Sequence, residues 1–344
     1  MNTDLEYWKN LKFEYLKTDF RFQAVNSGGK WDSGELITDS KISLEEGATS
    51  LHYAQQCFEG MKAYGSPSGG VNLFRPRENA KRMANTAKRL LMQTVPEELF
   101  LKGVTETVKA NLKFVPPHAS KASLYIRPLL IGDGENLGIK TASRNIFRVF
   151  CSPVGPYYKA GGLKAVSMLV SEKYDRAAPH GIGNFKAGSN YAGGMAATAA
   201  SQEKGYNECI YFDSKEGRFL DEAGSANIIV ATKDNKLITP KSDSILPSIT
   251  RKSIMVLAKD KLRMETEERP IDFLAELDNI SEIGACGTAA VISAIGRIGF
   301  KGKDYLFFDE GRSPGPVMSE LYRLLTGIQF GELDDPYGWR YPVT

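Results

Sequence analysis

The stretch GIGNFKAGSNYAGG, residues 181–194, decides how the chain is read. It follows the apolar run LKAVSMLV at 163–170 and opens into the small-residue segment NYAGGMAATAASQEKG at 190–205. A strand, a glycine-rich loop and a helix of small residues able to pack tightly is the expected order. Glycines before and after Lys186 permit close backbone approach and unusual dihedrals. Two readings of that lysine stand side by side. Solvated, it is an ordinary loop residue; buried without a counter-ion, its pKa falls and the neutral amine can attack an aldehyde.

Working outward, NECIYFD and ANIIVATKDNKLITP supply three further short strands around turns. Helices are expected at 248–260 and 315–326, the second ending at Gly327 as a C-terminal cap. On the N-terminal side, Ala80, Met83, Ala84, Ala87, Leu90 and Leu91 recur at three- and four-residue steps, which predicts a helix over 79–92. A second helix fits 97–113, stopped before Pro116 and Pro117. ASLYIRPLLIG at 122–132 and RNIFRVFCSPV at 144–154 read as buried strands, and shorter strands flank the turn SGGKWDSG at 27–34. PVGPYYKAGG at 153–162 has the composition of an interdomain connection. The expected organisation is a mixed α/β chain of two unequal domains: residues 1–154, a linker at 155–163, and residues 164–344.

A length of 344 residues suits two cores. Lys plus Arg total 44 against 41 for Asp plus Glu, so the net charge of +3 gives no reason to expect nucleic acid or an anionic membrane as partner. MNTDLEYWKN has no continuous apolar region, and no stretch reaches the roughly 18 apolar residues of a membrane span, so the expected location is cytoplasmic. Cys57, Cys151, Cys209 and Cys286 are scattered without CxxC pairing, and are read as reduced structural thiols. His52, His118 and His180 are isolated, which argues against a histidine-built metal site or a Ser-His-Asp hydrolase; no metal is expected.

Other groups can carry chemistry. In FLDEAGSANIIV, Glu222 stands just before a Gly224-Ser225 turn, either as a solvated turn residue or as a buried acid facing a basic ring nitrogen. SILPSITRKSI begins a helix whose first N–H groups, around Ile249 and Thr250, can hold a phosphate, and ACGTAAV offers a small-residue turn with a hydroxyl at Thr288. Arg82 lies on a helix with many basic neighbours and, taken alone, reads as solvated.

GNFKAGSNYA, LDEAGSANI, ILPSITR and CGTAA, in this order and spacing, resemble the fold-type IV pyridoxal-phosphate enzymes, which include branched-chain aminotransferases, D-amino-acid aminotransferases and aminodeoxychorismate lyases. LHYAQQCFEGMKAY at 51–64, LFRPRENAKRM at 73–83 and YIRPLLIG at 125–132 look like the longer, eukaryotic-type branch of the branched-chain aminotransferases. The resemblance runs from about Phe13 to the region of Gly331. It implies the two-domain fold-type IV architecture, with a small N-terminal α/β domain and a larger C-terminal domain that binds pyridoxal 5'-phosphate.

Carried over by position, the resemblance implies that Lys186 forms the cofactor Schiff base, that Tyr191 hydrogen-bonds the phenolic oxygen and that Glu222 pairs with the pyridine nitrogen. Arg82 would bind the phosphate with a charge-assisted fork, joined by the Ile249 and Thr250 amides and the Thr288 side chain. Phe58, Tyr125 and Tyr157, with Phe13, would line an aromatic substrate pocket. Arg127 would organise the Tyr125 side and meet the second substrate's carboxylate, and amides around Thr288 and Ala289 would meet the α-carboxylate. Tyr53, Leu137 and Ile139 would belong to the pocket of the neighbouring subunit, making the active site depend on a homodimer. Mammalian members carry a CxxC shortly after the GTA turn; GTAAVISAIG lacks both cysteines, so thiol-based control of that kind is not expected.

The implied reaction is ping-pong transfer of an amino group from L-leucine, L-isoleucine or L-valine to 2-oxoglutarate, with Lys186 moving the α-proton. One rival is D-amino-acid transamination or lyase chemistry on the same lysine and glutamate; the N-terminal motifs argue against it. The other is a non-enzymatic binding protein on the same scaffold, for which loss of Lys186 or Glu222 would be expected.

Overall fold

The computed structural model describes residues 4–156 and 162–344. The chain divides into two compact units: Met1–Lys159 with Phe185–Gly188 and Gly327–Thr344, and Ala160–Asn184 with Ser189–Thr326. The sequence reading assigned everything from 164 onward to one domain. Two segments depart from that reading because of backbone pairing: Ala187 bridges Cys57, and Arg340–Pro342 runs antiparallel to Val71–Phe74.

The first unit is built on an antiparallel sheet. From one edge its strands run Arg340–Pro342, Val71–Phe74, Met61–Gly65, Ser123–Asp133, Arg144–Val154, Arg21–Ser27 and Lys30–Trp31, with Gln56–Phe58 beside Ser123–Asp133 and Glu35–Ile37 beside Arg21–Ser27. Ser123–Asp133 and Arg144–Val154 are the two strands read as buried, and they pair along their whole length. Successive side chains of a strand point to opposite faces. Leu124, Ile126 and Leu130 therefore enter an apolar core with Phe147, Val149 and Cys151, while Tyr125 and Arg127 project from the other face. Ala80, Met83 and Ala87 of helix Pro76–Arg89, and Phe100, Leu101, Val104 and Val108 of helix Glu97–Ala110, complete that core.

The first of these helices starts three residues before its expected position. Pro76 presets the first helical φ, and Arg75, at φ 48°, turns the chain into it. Leu91, at φ 52°, closes its far end. The second helix stops at Ala110, and the remaining residues tighten into the 3₁₀ turn Leu112–Phe114.

In the second unit, six strands close on themselves: Ala165–Val170, Val291–Phe300, Ile280–Gly287, Ala226–Thr232, Leu220–Ala223 and Glu208–Phe212, the last pairing back to the first. Two of the pairings are parallel and four antiparallel. Met168, Ile210, Phe212, Ile228, Ile283 and Ile298 belong to the apolar core of this unit. Glu222 lies within the short strand Leu220–Ala223, just before the expected turn at Gly224 and Ser225.

Gly327 does not cap a helix. Helix Pro316–Phe330 runs through it and ends against Gly331, at φ 73°. Gly331 N donates to Ile328 O at 3.1 Å and Glu332 N to Gly327 O at 2.8 Å, the paired reversal that terminates many helices. Gly327 serves close packing instead: a Cβ there would stand 2.6 Å from Leu333 Cδ1.

Candidate active site

Each unit gathers part of the residues singled out in the sequence. In the first unit, Lys186 is fixed through its backbone on both sides. Its N–H donates to Thr86 Oγ1 at 3.1 Å, and its carbonyl accepts from Phe58 N at 3.2 Å. Ala187 then bridges Cys57, and Gly188 packs so closely on Gln56 that a Cβ would lie 2.8 Å from Nε2. The glycine-rich loop is thus laid against the short strand Gln56–Phe58. Phe58, adjoining the lysine backbone, also faces the amine: Lys186 Nζ stands 4.8 Å from the centre of its ring.

The open face of the sheet completes this cluster. Arg127 stacks its guanidinium 4.6 Å from the Phe58 ring centre and donates from Nη2 to the Tyr125 hydroxyl at 3.1 Å. Phe13 meets Tyr125 edge to face at 5.0 Å. Burial holds the Lys186 ammonium down, and the positive charges of Arg82 and Arg127 add to the effect. Glu59 and Tyr125 oppose it, and the outcome is a pKa lowered from 10.5 to about 8. The buried reading of this lysine is the one the structure adopts.

Arg82 is not the solvated residue that its helix suggested, since its side chain is only 10% exposed. It does make a charge-assisted fork, but to a carboxylate. Nε donates to Glu59 Oε1 at 2.8 Å and Nη2 to Glu59 Oε2 at 2.7 Å. The fork formed by Nε and Nη2, expected for a phosphate, is therefore directed at Glu59. Sequence reading passed over Glu59, although an acid between Phe58 and Gly60 in CFEGM, inside an apolar run, was a usable signal.

Tyr53 is tied elsewhere in the first unit, its hydroxyl donating to Leu137 O at 2.8 Å. Leu137 and Ile139 are 94% and 91% exposed. Tyr157 lies outside the described residues.

In the second unit, Glu222 is 1% exposed and is held by an ion pair and by hydrogen bonds. Arg176 pairs with Oε2, Asn227 Nδ2 donates to Oε1, and Leu246 N donates to the same oxygen at 3.2 Å. Arg176 also ties down the loop that leads to the lysine, donating to Gly183 O at 3.1 Å and Ser244 O at 2.8 Å. Sequence reading missed both Arg176 and Asn227. A single arginine between a strand and a glycine-rich loop carries little signal by itself. Tyr191, near the start of helix Gly188–Glu203, shares with Arg176, Tyr211 and Ser225 the lining of a cleft of about 280 Å³.

Across three neighbouring strands of this unit Glu222 pairs with Asn227 and Asn227 with Cys286, one residue before the end of the strand Ile280–Gly287. Thr288 and Ala289 form the turn that follows, closed by Gly287 opposite Val291. Helix Ile249–Leu262 is capped by Ser248, whose Oγ accepts from Arg251 N at 3.2 Å and whose carbonyl accepts from Lys252 N at 3.1 Å. That cap uses the Arg251 and Lys252 amides, so those of Ile249 and Thr250 lie outside it at the positive end of the helix.

The sequence profile of class IV amino-transferases matches residues 56–298. The branched-chain-amino-acid aminotransferase of Haemophilus influenzae is 52% identical over 96% of this chain and 97% of its own length; that of Helicobacter pylori is 49% identical over 98% and 97%. Among solved structures, the branched-chain amino acid aminotransferase from Escherichia coli is 26% identical, with a TM-score of 0.77 over 95% of this chain and all of its own. The chain belongs to the class IV aminotransferase family, among its branched-chain amino-acid aminotransferases.

Proposed function

We propose that the enzyme transfers the amino group of L-leucine, L-isoleucine or L-valine to 2-oxoglutarate by ping-pong chemistry, giving the 2-oxo acid and L-glutamate, with pyridoxal 5'-phosphate held covalently by Lys186 Nζ. The observation that carries this reading is Lys186 itself, with its backbone pinned at both ends, its amine over Phe58 and its pKa lowered to about 8. The donor set fits a phosphorylated pyridine aldehyde. The Ile249 and Thr250 amides outside the Ser248 cap, the Thr288 hydroxyl and Arg82 suit the phosphate, Tyr191 the phenolic oxygen, and the ionic Glu222 the ring nitrogen. When bound, the cofactor takes up the amino group and accepts the electrons of the substrate Cα–H bond.

The chain's own groups do the rest. Lys186, neutral in an appreciable fraction near pH 8, takes the α-proton and returns it. Phe58 and Tyr125, with Tyr157 and Phe13, enclose an aliphatic side chain and exclude water. Arg127 meets the γ-carboxylate of the second substrate; its Nε is buried without a hydrogen-bond partner among the described residues, which supports a role as donor to an anion. Amides at Thr288 and Ala289 meet the α-carboxylate. We further place Tyr53, Leu137 and Ile139 at the pocket of the neighbouring subunit in a homodimer. The four buried thiols suit a reducing cytoplasm.

The test is the visible absorption of the purified protein with pyridoxal 5'-phosphate, before and after L-leucine, together with turnover of L-leucine and D-alanine with 2-oxoglutarate. A band that L-leucine converts, absent from Lys186→Ala, is expected. A band that L-leucine leaves unchanged, or turnover with the D-amino acid alone, overturns the reading.

A further inference from the structure

Helix Pro76–Arg89 carries a stripe of three polar side chains, Asn79, Arg82 and Thr86, at the three- and four-residue steps that share one helix face. Thr86 holds the Lys186 backbone, and the other two converge on a single carboxylate. Glu59 is fully buried, and it accepts from Arg82 Nε and Nη2 at 2.8 and 2.7 Å and from Asn79 Nδ2 at 2.8 Å. Its own N–H donates to Pro128 O at 2.8 Å, fixing it between two strands.

A carboxylate taken this far from water is costly unless its partners are held in place, and removing one partner of such a pair is strongly destabilising. The arrangement also has a directional result. Glu59 engages two guanidinium nitrogens at once, so the orientation of Arg82 is set by this carboxylate and not by the helix alone.

We infer that Glu59 is a positioning residue, which aims Arg82 through a two-point fork and balances its charge beside Lys186. The inference rests on the cofactor reading above. Its electrostatic part follows from the same placement: Arg82 lowers the proton affinity of Lys186 while Glu59 raises it, so the pair acts on the amine as two opposed charges. Glu59 tempers the effect of burial. Without it, two guanidinium groups would act on the lysine with less opposition.

Glu59→Gln keeps the volume and removes the charge. Two quantities are read on the holoenzyme and on protein stripped of cofactor: the pH midpoint of the visible band, and the dissociation constant of pyridoxal 5'-phosphate. The midpoint is expected to fall by about half a pH unit or more, and binding to weaken on the order of tenfold. Asn79→Ala removes a hydrogen bond to the same carboxylate and keeps its charge; it is expected to lower stability and leave the midpoint in place. Should Glu59→Gln fail to fold, Glu59→Asp serves, since it keeps the charge and shortens the reach. That variant is expected to hold the midpoint and weaken binding about threefold.

A midpoint unmoved in folded Glu59→Gln overturns the inference, as does unweakened binding in Glu59→Asp. A midpoint that moves as far in Asn79→Ala overturns it too, because disturbed packing would then be enough. A parent protein without a visible band refutes the cofactor reading, and this inference with it.

Discussion

Gly60 lies so close beneath the Tyr125 hydroxyl that a Cβ added there would stand 2.2 Å from that oxygen. The hydroxyl in turn accepts from Arg127 Nη2, and Arg127 stacks on Phe58. Gly60→Ala must therefore shift the whole aromatic and guanidinium cluster. We expect it to fold, as circular dichroism will show, and to lose on the order of tenfold to a hundredfold in kcat/KM for L-leucine, the scale set by small misplacements. Unchanged kcat/KM would show that the cluster does not position substrate.

A second expectation concerns pH. The folded pKa of Lys186, about 8, lies below its ordinary 10.5. The cost of holding the ammonium is therefore full below about 8, shrinks as pH rises toward 10.5 and vanishes above it, because the unfolded chain binds the extra proton through that window. Lys186→Met is expected to raise the melting temperature of cofactor-free protein at pH 7, by a margin that narrows on raising pH. In the parent, the rate of pyridoxal 5'-phosphate capture should climb with pH and level off above about 8. A rate still climbing at pH 10 would mean an ordinary lysine.

Glu222→Gln should be doubly damaging. Arg176 and Glu222 are 8% and 2% exposed in their side chains, so the change leaves a buried guanidinium without its counter-charge. A loss of about 3 kcal/mol in urea unfolding is expected. The visible band should also change its pH behaviour, since the neutral amide cannot keep a ring nitrogen protonated. Parent-like stability would show that solvent reaches the pair.

Gly331→Ala tests the helix end. At φ 73° an alanine is strained, and its Cβ would meet Arg340 Nη1 at 2.8 Å. The expected cost is about 1 kcal/mol by denaturant unfolding, with kcat little altered. Gly327→Ala is a different experiment, because there the clash is with a leucine side chain in a permitted conformation.

The two glycines also show what the amino-acid sequence discloses and what it withholds. Local periodicity placed helix Pro76–Arg89 to within three residues and picked out the two long strands, because those signals repeat within a few positions. It did not show that the helix ending near 327 continues for one more turn, since the choice between Gly327 and Gly331 depends on Leu333 folding back. Lys186 and Glu222 are marked by motif order, yet only the fold decides between their solvated and buried readings. Arg82 misled by its neighbours. Nothing within its helix announces Glu59, twenty-three residues earlier, and the same applies to Arg176, whose partner Glu222 is distant in sequence.

The strand Arg340–Pro342 pairs with Val71–Phe74, and the residues around Lys186, Phe185–Gly188, belong to the first unit as well. A ribosome must therefore release residue 342 before the sheet begun at residue 21 can gain its last strand. The part of the enzyme synthesised first is the part completed last. Until then a nascent chain presents the edge of Val71–Phe74 unpaired, a template for wrong partners, so chaperone demand and aggregation during synthesis should track the first unit.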